Sequence, residues 1–213
     1  MKKAIFMIAL VAFGTTSMKA QLTSTTDNRE NLTLGFKVGG NYSNVYDSEG
    51  EDFVADGKFG LAAGAFVVIP LGKFFGIQPE ILYSQKDYKA TGSFLGGNYE
   101  MTRTTEFIEV PILLSIKPIE YVSILFGPQF SYLTKQTDKF TGGTLTSEQI
   151  QEYDNSNLRK NIFGLVGGAD LNFDHFVVGL RAGWDVQKND GDGNNTTPRY
   201  KNIFYQATLG YKF

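Results

Sequence analysis

Five charged residues, Lys37, Glu80, Glu109, Arg181 and Asp185, stand in segments otherwise built from glycine, small polar residues and bulky apolar ones. Each shares its alternation parity with the small and polar neighbours of its own segment: Lys37 with Thr33 and Asn41; Glu80 with Gln78, Ser84 and Lys86; Glu109 with Arg103, Thr105, Ser115 and Lys117; Arg181 and Asp185 with Gly179 and Gly183. Two chemistries suit such a set. Mixed charges gathered on the inside of a narrow sheet can line a charged passage or a binding site, or they can pair with one another and fill the space. Pairing is the better reading, because the signs nearly balance and a buried charge without a partner is costly. The expected arrangement has Glu80 and Glu109 neutralising Lys37 and Arg181, with Asp185 in the same network, so that the interior is closed to ions.

Other candidate chemistry is thinner. His175 is the only histidine and falls in a short turn, away from the rim where a surface lipase, acyltransferase or protease would need its general base. The run Asp47-Ser48-Glu49-Gly50-Glu51-Asp52 and the run Asn189-Asp190-Gly191-Asp192-Gly193-Asn194 are acidic, and the second is spaced somewhat like a calcium loop. It lacks the glycine expected after Asn194, and Lys201 stands where the later glutamate would be, so solvated turns are the better reading and a divalent-cation site the alternative. The chain has no cysteine, so neither thiol chemistry nor disulfides enter. No catalytic residue, metal or cofactor is assigned.

The elements that must hold the charged set are strands. The last stretch, Tyr200 to Phe213, places Ile203, Tyr205, Ala207, Leu209, Tyr211 and Phe213 on one side and Asn202, Gln206, Thr208, Gly210 and Lys212 mostly on the other. The same period of two runs through Leu32–Tyr42, Gly57–Ile69, Phe74–Asp87, Met101–Lys117, Tyr121–Thr134, Leu158–Asn172 and Phe176–Lys188. Bulky apolar residues on one face and glycine or polar residues on the other suit a wall with lipid outside and a polar lumen inside, and such strands must close into a barrel to pair their backbones. The expected fold is all-β, an eight-stranded antiparallel up-and-down transmembrane β-barrel. A soluble barrel would need the faces inverted, and the glycine-rich face would make a poor soluble core.

Connections alternate in length. Ser43–Asp56, Tyr88–Glu100, Lys135–Asn157 and Asn189–Arg199 read as long polar loops, whereas Pro70–Lys73, Pro118–Glu120 and Phe173–Asp174 read as short turns. All long loops then fall at one end, and both termini at the other, which predicts outer loops outside the cell and periplasmic termini. Trp184, Tyr132, Tyr83 and Tyr205 toward the loop end, and Phe75, Phe176, Tyr211 and Phe213 toward the turn end, read as two interfacial girdles. Lys2 and Lys3 followed by the apolar Ala4–Phe13 predict a secretory signal over residues 1–20, cut after Ala20 or alternatively after Ser17. Residues 21–31 read as a flexible periplasmic leader and 32–213 as the barrel domain. The formal charge is −2 and becomes more negative once Lys2, Lys3 and Lys19 leave with the signal, which excludes a nucleic-acid partner.

Pro79, Pro111 and Pro128 sit inside expected strands, where each removes a ladder hydrogen bond; a bulge or weakened seam is expected there. Together with these prolines, several segments resemble the PorT-like family of bacterial outer-membrane β-barrels: Gly35-Phe36-Lys37-Val38-Gly39 with Asn41 and Ser43, Gln78-Pro79-Glu80-Ile81-Leu82-Tyr83-Ser84, Phe107-Ile108-Glu109-Val110-Pro111-Ile112-Leu113-Leu114, Gly127-Pro128, and the terminal Gly210-Tyr211-Lys212-Phe213. The resemblance spans the mature chain and implies location and fold far more than activity. It also implies that Tyr211 and Phe213 form a terminal signal read by the barrel-assembly machinery during insertion, and that secretion-complex proteins are candidate partners. The expected function is a non-enzymatic outer-membrane protein, in contact with outer-membrane lipid, with a structural or interaction role through its long loops; an accessory part of a secretion apparatus and a small-solute channel are the alternatives.

Overall fold

The computed structural model describes residues 28–47, 55–94, 97–142, 145–151, 160–187 and 200–213. The expected signal peptide, residues 21–27 of the expected leader, residues 48–52 of the first acidic run and the whole of the expected loop Asn189–Arg199 lie outside the described residues.

Among the described residues nine strands follow a short 3-10 helix, Asn28–Glu30: β1 (Thr33–Asp47), β2 (Ala55–Pro70), β3 (Phe75–Phe94), β4 (Gly97–Ile119), β5 (Val122–Gly142), β6 (Leu145–Gln151), β7 (Asn161–Phe173), β8 (Phe176–Asp185) and β9 (Tyr200–Lys212). Eight of them close a barrel in the order β1-β2-β3-β4-β5-β7-β8-β9, with β9 returning to β1, and every pairing is antiparallel. Closure is in register from Gly35↔Lys212 to Asp47↔Tyr200, and beyond it the Phe213 N–H donates to the Leu34 carbonyl at 2.8 Å. No backbone edge is left along the barrel wall, which is what a strand-built membrane span requires.

Alternation decides the two faces. Outward residues such as Phe36, Val38, Ile112, Leu114, Phe126, Phe130, Leu180 and Leu209 are exposed, while their chain neighbours Lys37, Leu113, Gln129, Arg181 and Thr208 are buried. The apolar outer belt is flanked by exposed Tyr132, Trp184 and Tyr205 toward the loop end and by Phe75, Phe176, Tyr211 and Phe213 toward the turn end. The turns at that second end are tight. Gly72 adopts φ +126°, and Asp174 φ +50°, a left-handed conformation that a short polar side chain tolerates.

The long-loop end departs from the sequence reading. Tyr88–Glu100 and Lys135–Asn157 were expected as loops, yet β3 runs on to Phe94, β4 starts at Gly97, β5 continues to Gly142, and β6 pairs with β5 from Gly142↔Leu145 to Gln136↔Gln151. These segments are polar on both faces, because beyond the membrane neither face needs to be apolar, and the hydrophobic signal that marks a strand is absent there. The result, among the described residues, is a β3-β4-β5-β6 extension that stands above the rim. Of the bulge or weakened seam expected at the prolines, the weakened seam is found: the register is kept, but the β3–β4 pairing breaks between Pro79↔Ile112 and Leu82↔Glu109, across Pro111, and the β4–β5 pairing between Pro111↔Gln129 and Leu114↔Phe126, across Pro128. Shifts occur instead between Gly57 and Ala62 on β2, and between Glu106 and Phe107 and between Ile116 and Ile119 on β4.

Residues 28–31, expected within a flexible leader, are held against the turn end. The Arg29 guanidinium donates to the Lys117 and Pro118 carbonyls at 3.4 and 3.3 Å and lies 5.3 Å from the centroid of the Phe74 ring, while Lys117 Nζ returns a bond to the Arg29 carbonyl at 2.8 Å. A polar, unpatterned segment gives no periodicity from which such a contact could be read.

Candidate functional site

The lumen is filled by side chains from all eight wall strands, and these fall into charged and apolar groups along the barrel. Nearest the turn end is a charged group on β1, β3, β7 and β8. Lys37 pairs with Glu80, and Arg181 Nη1 pairs with Asp170 at 2.7 Å while Nη2 lies 3.6 Å from Glu80. Gln78 Nε2 donates to Glu80 at 2.9 Å and to Asp170 at 3.2 Å, and Arg181 also donates to the Ala169 and Leu180 carbonyls, each at 3.1 Å. Two cations face two carboxylates, and all four side chains are almost wholly buried.

An apolar group follows: Leu113, Leu125, Val166 and Phe204. Its place is fixed by strand order, since Leu113 lies four residues turnward of Glu109 on β4, and Val166 four residues loopward of Asp170 on β7. Glycines on the inner face make room for large rings here. A Cβ on Gly183 would overlap the Phe204 ring, and one on Gly35 would overlap the Phe66 ring.

The second charged group lies loopward of this plug, on β3, β4 and β8. Lys86 Nζ is 2.7 Å from Glu109 Oε1 and 3.9 Å from Asp185 Oδ1, and sits 4.4 and 5.1 Å from the centroids of the Phe204 and Phe107 rings. Gln129 Nε2 and Ser131 Oγ donate to Glu109 Oε1 at 2.9 and 3.2 Å, and Asn202 Nδ2 donates to Asp185 Oδ2 at 2.6 Å. Above it Phe107, Leu133 and Ile162 form a further apolar group. Between the two charged groups on the β1 and β9 side, Gln206 donates to Asn41 at 2.9 Å and Asn41 to Ser84 at 2.7 Å.

Lys37, Glu80, Glu109, Arg181 and Asp185 thus all point into the lumen, but they do not form one network. Lys37, Glu80 and Arg181 come together; Glu109 and Asp185 belong to the other group, so the expected neutralisation of Lys37 or Arg181 by Glu109 is not what the fold builds. Two members were missed. Lys86 shares the inward parity of Glu80 and is the sole cation of the upper group; Asp170, on the glycine-rich β7, is the principal partner of Arg181. Phe66 and Phe204 were not named as lumen fillers although they share the inward parity of Gly64 and of Asn202 and Gln206, because the space that a facing glycine opens for a ring is not visible within one strand. Tyr211 and Phe213 lie on the outer face, in an edge-to-face cluster: Phe213 is 6.0 Å from Phe36 and 5.2 Å from Tyr211 between ring centroids.

Chemically, the described interior holds paired charges between apolar groups. His175 is exposed in its turn, stacked on Tyr211 at 5.5 Å, with its Nδ1 3.1 Å from the Lys212 carbonyl oxygen. A pocket opens at the turn end, lined by Arg29, Phe66, Gln78, Lys117, Asp170 and Lys212 among others.

None of the curated proteins matches the chain. Among solved structures, the chain is similar to Ail, the attachment invasion locus protein of Yersinia pestis (13% identity, 86% of this chain and 99% of that one, TM-score 0.48), and to Neisserial surface protein A (10% identity, 86% and 100%, TM-score 0.47). CarO2 of Acinetobacter baumannii is similar too, at 12% identity over 86% of this chain and 100% of that one, with TM-score 0.42. A sequence profile for the outer membrane protein beta-barrel domain matches residues 19–185, well over half of the chain. With a closed eight-stranded wall, an apolar exterior and that match, the chain belongs to the outer membrane protein beta-barrel domain family.

Proposed function

We propose that this protein is a non-enzymatic outer-membrane barrel whose membrane part is closed to solutes and whose work is done above the rim, where β3, β4, β5 and β6 stand out as a platform for contacts outside the cell. The observation that carries this reading is the filled lumen: among the described residues, two buried charged groups are separated by one apolar group, and a second apolar group lies loopward of the upper one. Eight strands leave an interior only wide enough for side chains. In this reading both termini and the short turns face the periplasm, lipid contacts the apolar belt, and Tyr211 and Phe213 are met by the assembly machinery on insertion.

Planar-bilayer recording of the purified protein is the direct test, with no steady openings expected; sustained large-conductance openings would replace this reading with a transport role. Orientation is tested on intact cells with single cysteines. Lys139→Cys, exposed on the β5 extension, should react with an impermeant maleimide and His175→Cys should not.

A second reading is favoured by the motifs shared with PorT-like barrels, Gln78-Pro79-Glu80 and Val110-Pro111-Ile112 among them. It makes the chain an accessory of a secretion apparatus, with the same platform as its contact surface. Co-purification from native membranes separates the two: a defined set of envelope proteins retained at stoichiometric amounts supports the accessory role.

A further inference from the structure

We propose that the pocket at the turn end is a binding site for one small oxyanion of the phosphate class, held by Lys117 and Lys212 of the barrel and by Arg29 of the segment that precedes β1.

Three basic side chains from separate parts of the chain converge on this cavity. Lys117 comes from the turnward end of β4, Lys212 is the last residue of β9, and Arg29 belongs to the 3-10 helix. Arg29 and Lys117 are fixed beside each other by reciprocal bonds: the guanidinium donates to the Lys117 carbonyl at 3.4 Å, and the Lys117 ammonium to the Arg29 carbonyl at 2.8 Å. The Phe74 ring, 5.3 Å from the guanidinium carbon, adds a cation–π contact that holds Arg29 in place. Two positive groups held together repel, and an anion that touches both turns the repulsion into attraction.

Neutral donors complete the lining. Lys212 Nζ donates to Asn172 Oδ1 at 3.2 Å, and Asn172 Nδ2 to Ser123 Oγ at 3.2 Å. An ammonium has three N–H groups and an amide two, and Ser123, which accepts from Asn172, keeps its own O–H to donate. Lys212, Asn172 and Ser123 thus form a row of donors contributed by β9, β7 and β5. The two carboxylates of the lining are turned to other partners: Asp170 accepts from Arg181 at 2.7 Å and from Gln78 at 3.2 Å, and Glu120 lies beside the Tyr121 hydroxyl.

Size narrows the ligand. The cavity volume is about 40 Å³. One water needs about 10–15 Å³ of such space, so the pocket suits a group of a few heavy atoms and is too small for a sugar or a peptide. Lysine and arginine donors converging on a space of that size are the chemistry of phosphate recognition. The site lies at the opposite end of the barrel from the β3-β4-β5-β6 extension and does not depend on what that extension contacts.

The experiment uses the mature chain folded in micelles of an uncharged, phosphate-free detergent, with inorganic phosphate titrated against chloride at constant ionic strength. Calorimetry should show saturable binding of one phosphate per barrel, and the urea midpoint should rise as the site fills. Arg29→Gln and Lys212→Gln should each weaken binding by about tenfold or more, the loss expected for one charged hydrogen bond. Lys139→Gln, on the β5 extension, should leave it unchanged. Arg29 lies outside the barrel wall, so R29Q decides the matter even if K212Q does not fold. Glycerol phosphate separates the two sources of the group: weaker binding than phosphate identifies a free ion, equal or tighter binding a phosphate carried on an ester such as a lipid headgroup, and either supports the site. A response to phosphate no greater than to chloride overturns the proposal. So does an affinity that R29Q leaves unchanged, or one that K139Q reduces as much as R29Q does.

Discussion

The ammonium of Lys86 lies 4.4 Å from the centroid of the Phe204 ring, so that the floor of the upper charged group is at once a hydrophobic plug and a cation's aromatic neighbour. Phe204 occupies that position because Gly183, on the adjacent strand in register with it, has no Cβ.

The pair Gly183 and Phe204 should therefore be energetically coupled. Gly183→Ala alone overlaps the ring and should destabilise the barrel by about 1–3 kcal/mol, as overpacking does. Phe204→Ala alone should cost about 3–5 kcal/mol. In the double variant the alanine methyl enters space the ring has vacated, so the combined loss should be well below the sum. Urea unfolding in vesicles measures this; strictly additive losses would show that the ring does not fill the space above Gly183.

Lys37 should couple to Glu80 and not to Glu109. Glu80→Gln leaves Lys37 buried without its carboxylate and should cost about 3–5 kcal/mol, while Lys37→Met added to it should restore part of the loss. Glu109→Gln should be insensitive to Lys37→Met, because Glu109 pairs with Lys86. Equal coupling of Lys37 to both glutamates would mean that the two groups are one network after all.

The terminal residue joins closure to assembly. Phe213 donates its N–H to Leu34 and packs its ring edge-on to Phe36 and Tyr211, which ties the end of β9 to the start of β1. Phe213→Asp places a charge in that aromatic cluster and should sharply reduce the amount of heat-modifiable folded barrel recovered from outer membranes. Phe213→Tyr should keep it near normal. Undiminished barrel in the Asp variant would show that neither the seam nor recognition during insertion needs this side chain.

What the sequence determined by itself is the side on which each residue lies. A period of two needs no knowledge of neighbours, so the outward Phe36, Ile112 and Leu180 and the inward Lys37, Glu80, Glu109, Arg181 and Asp185 follow from chain order once the fold is a closed sheet. Loop spacing likewise separates the two ends, although the polar continuation of β3, β4 and β5 above the rim carries no such signal, since nothing there selects an apolar face. Height along the barrel is different. It depends on the stagger between strands, set by pairings such as Leu82↔Glu109 and Gly168↔Arg181, and no single strand contains that information. Only the tertiary structure decides that Lys86 meets Glu109 and Asp185 while Arg181 meets Asp170, and that rings of Phe66 and Phe204 occupy the hollows over Gly35 and Gly183. Two residues on the same face become partners only where the register brings their side chains to the same level.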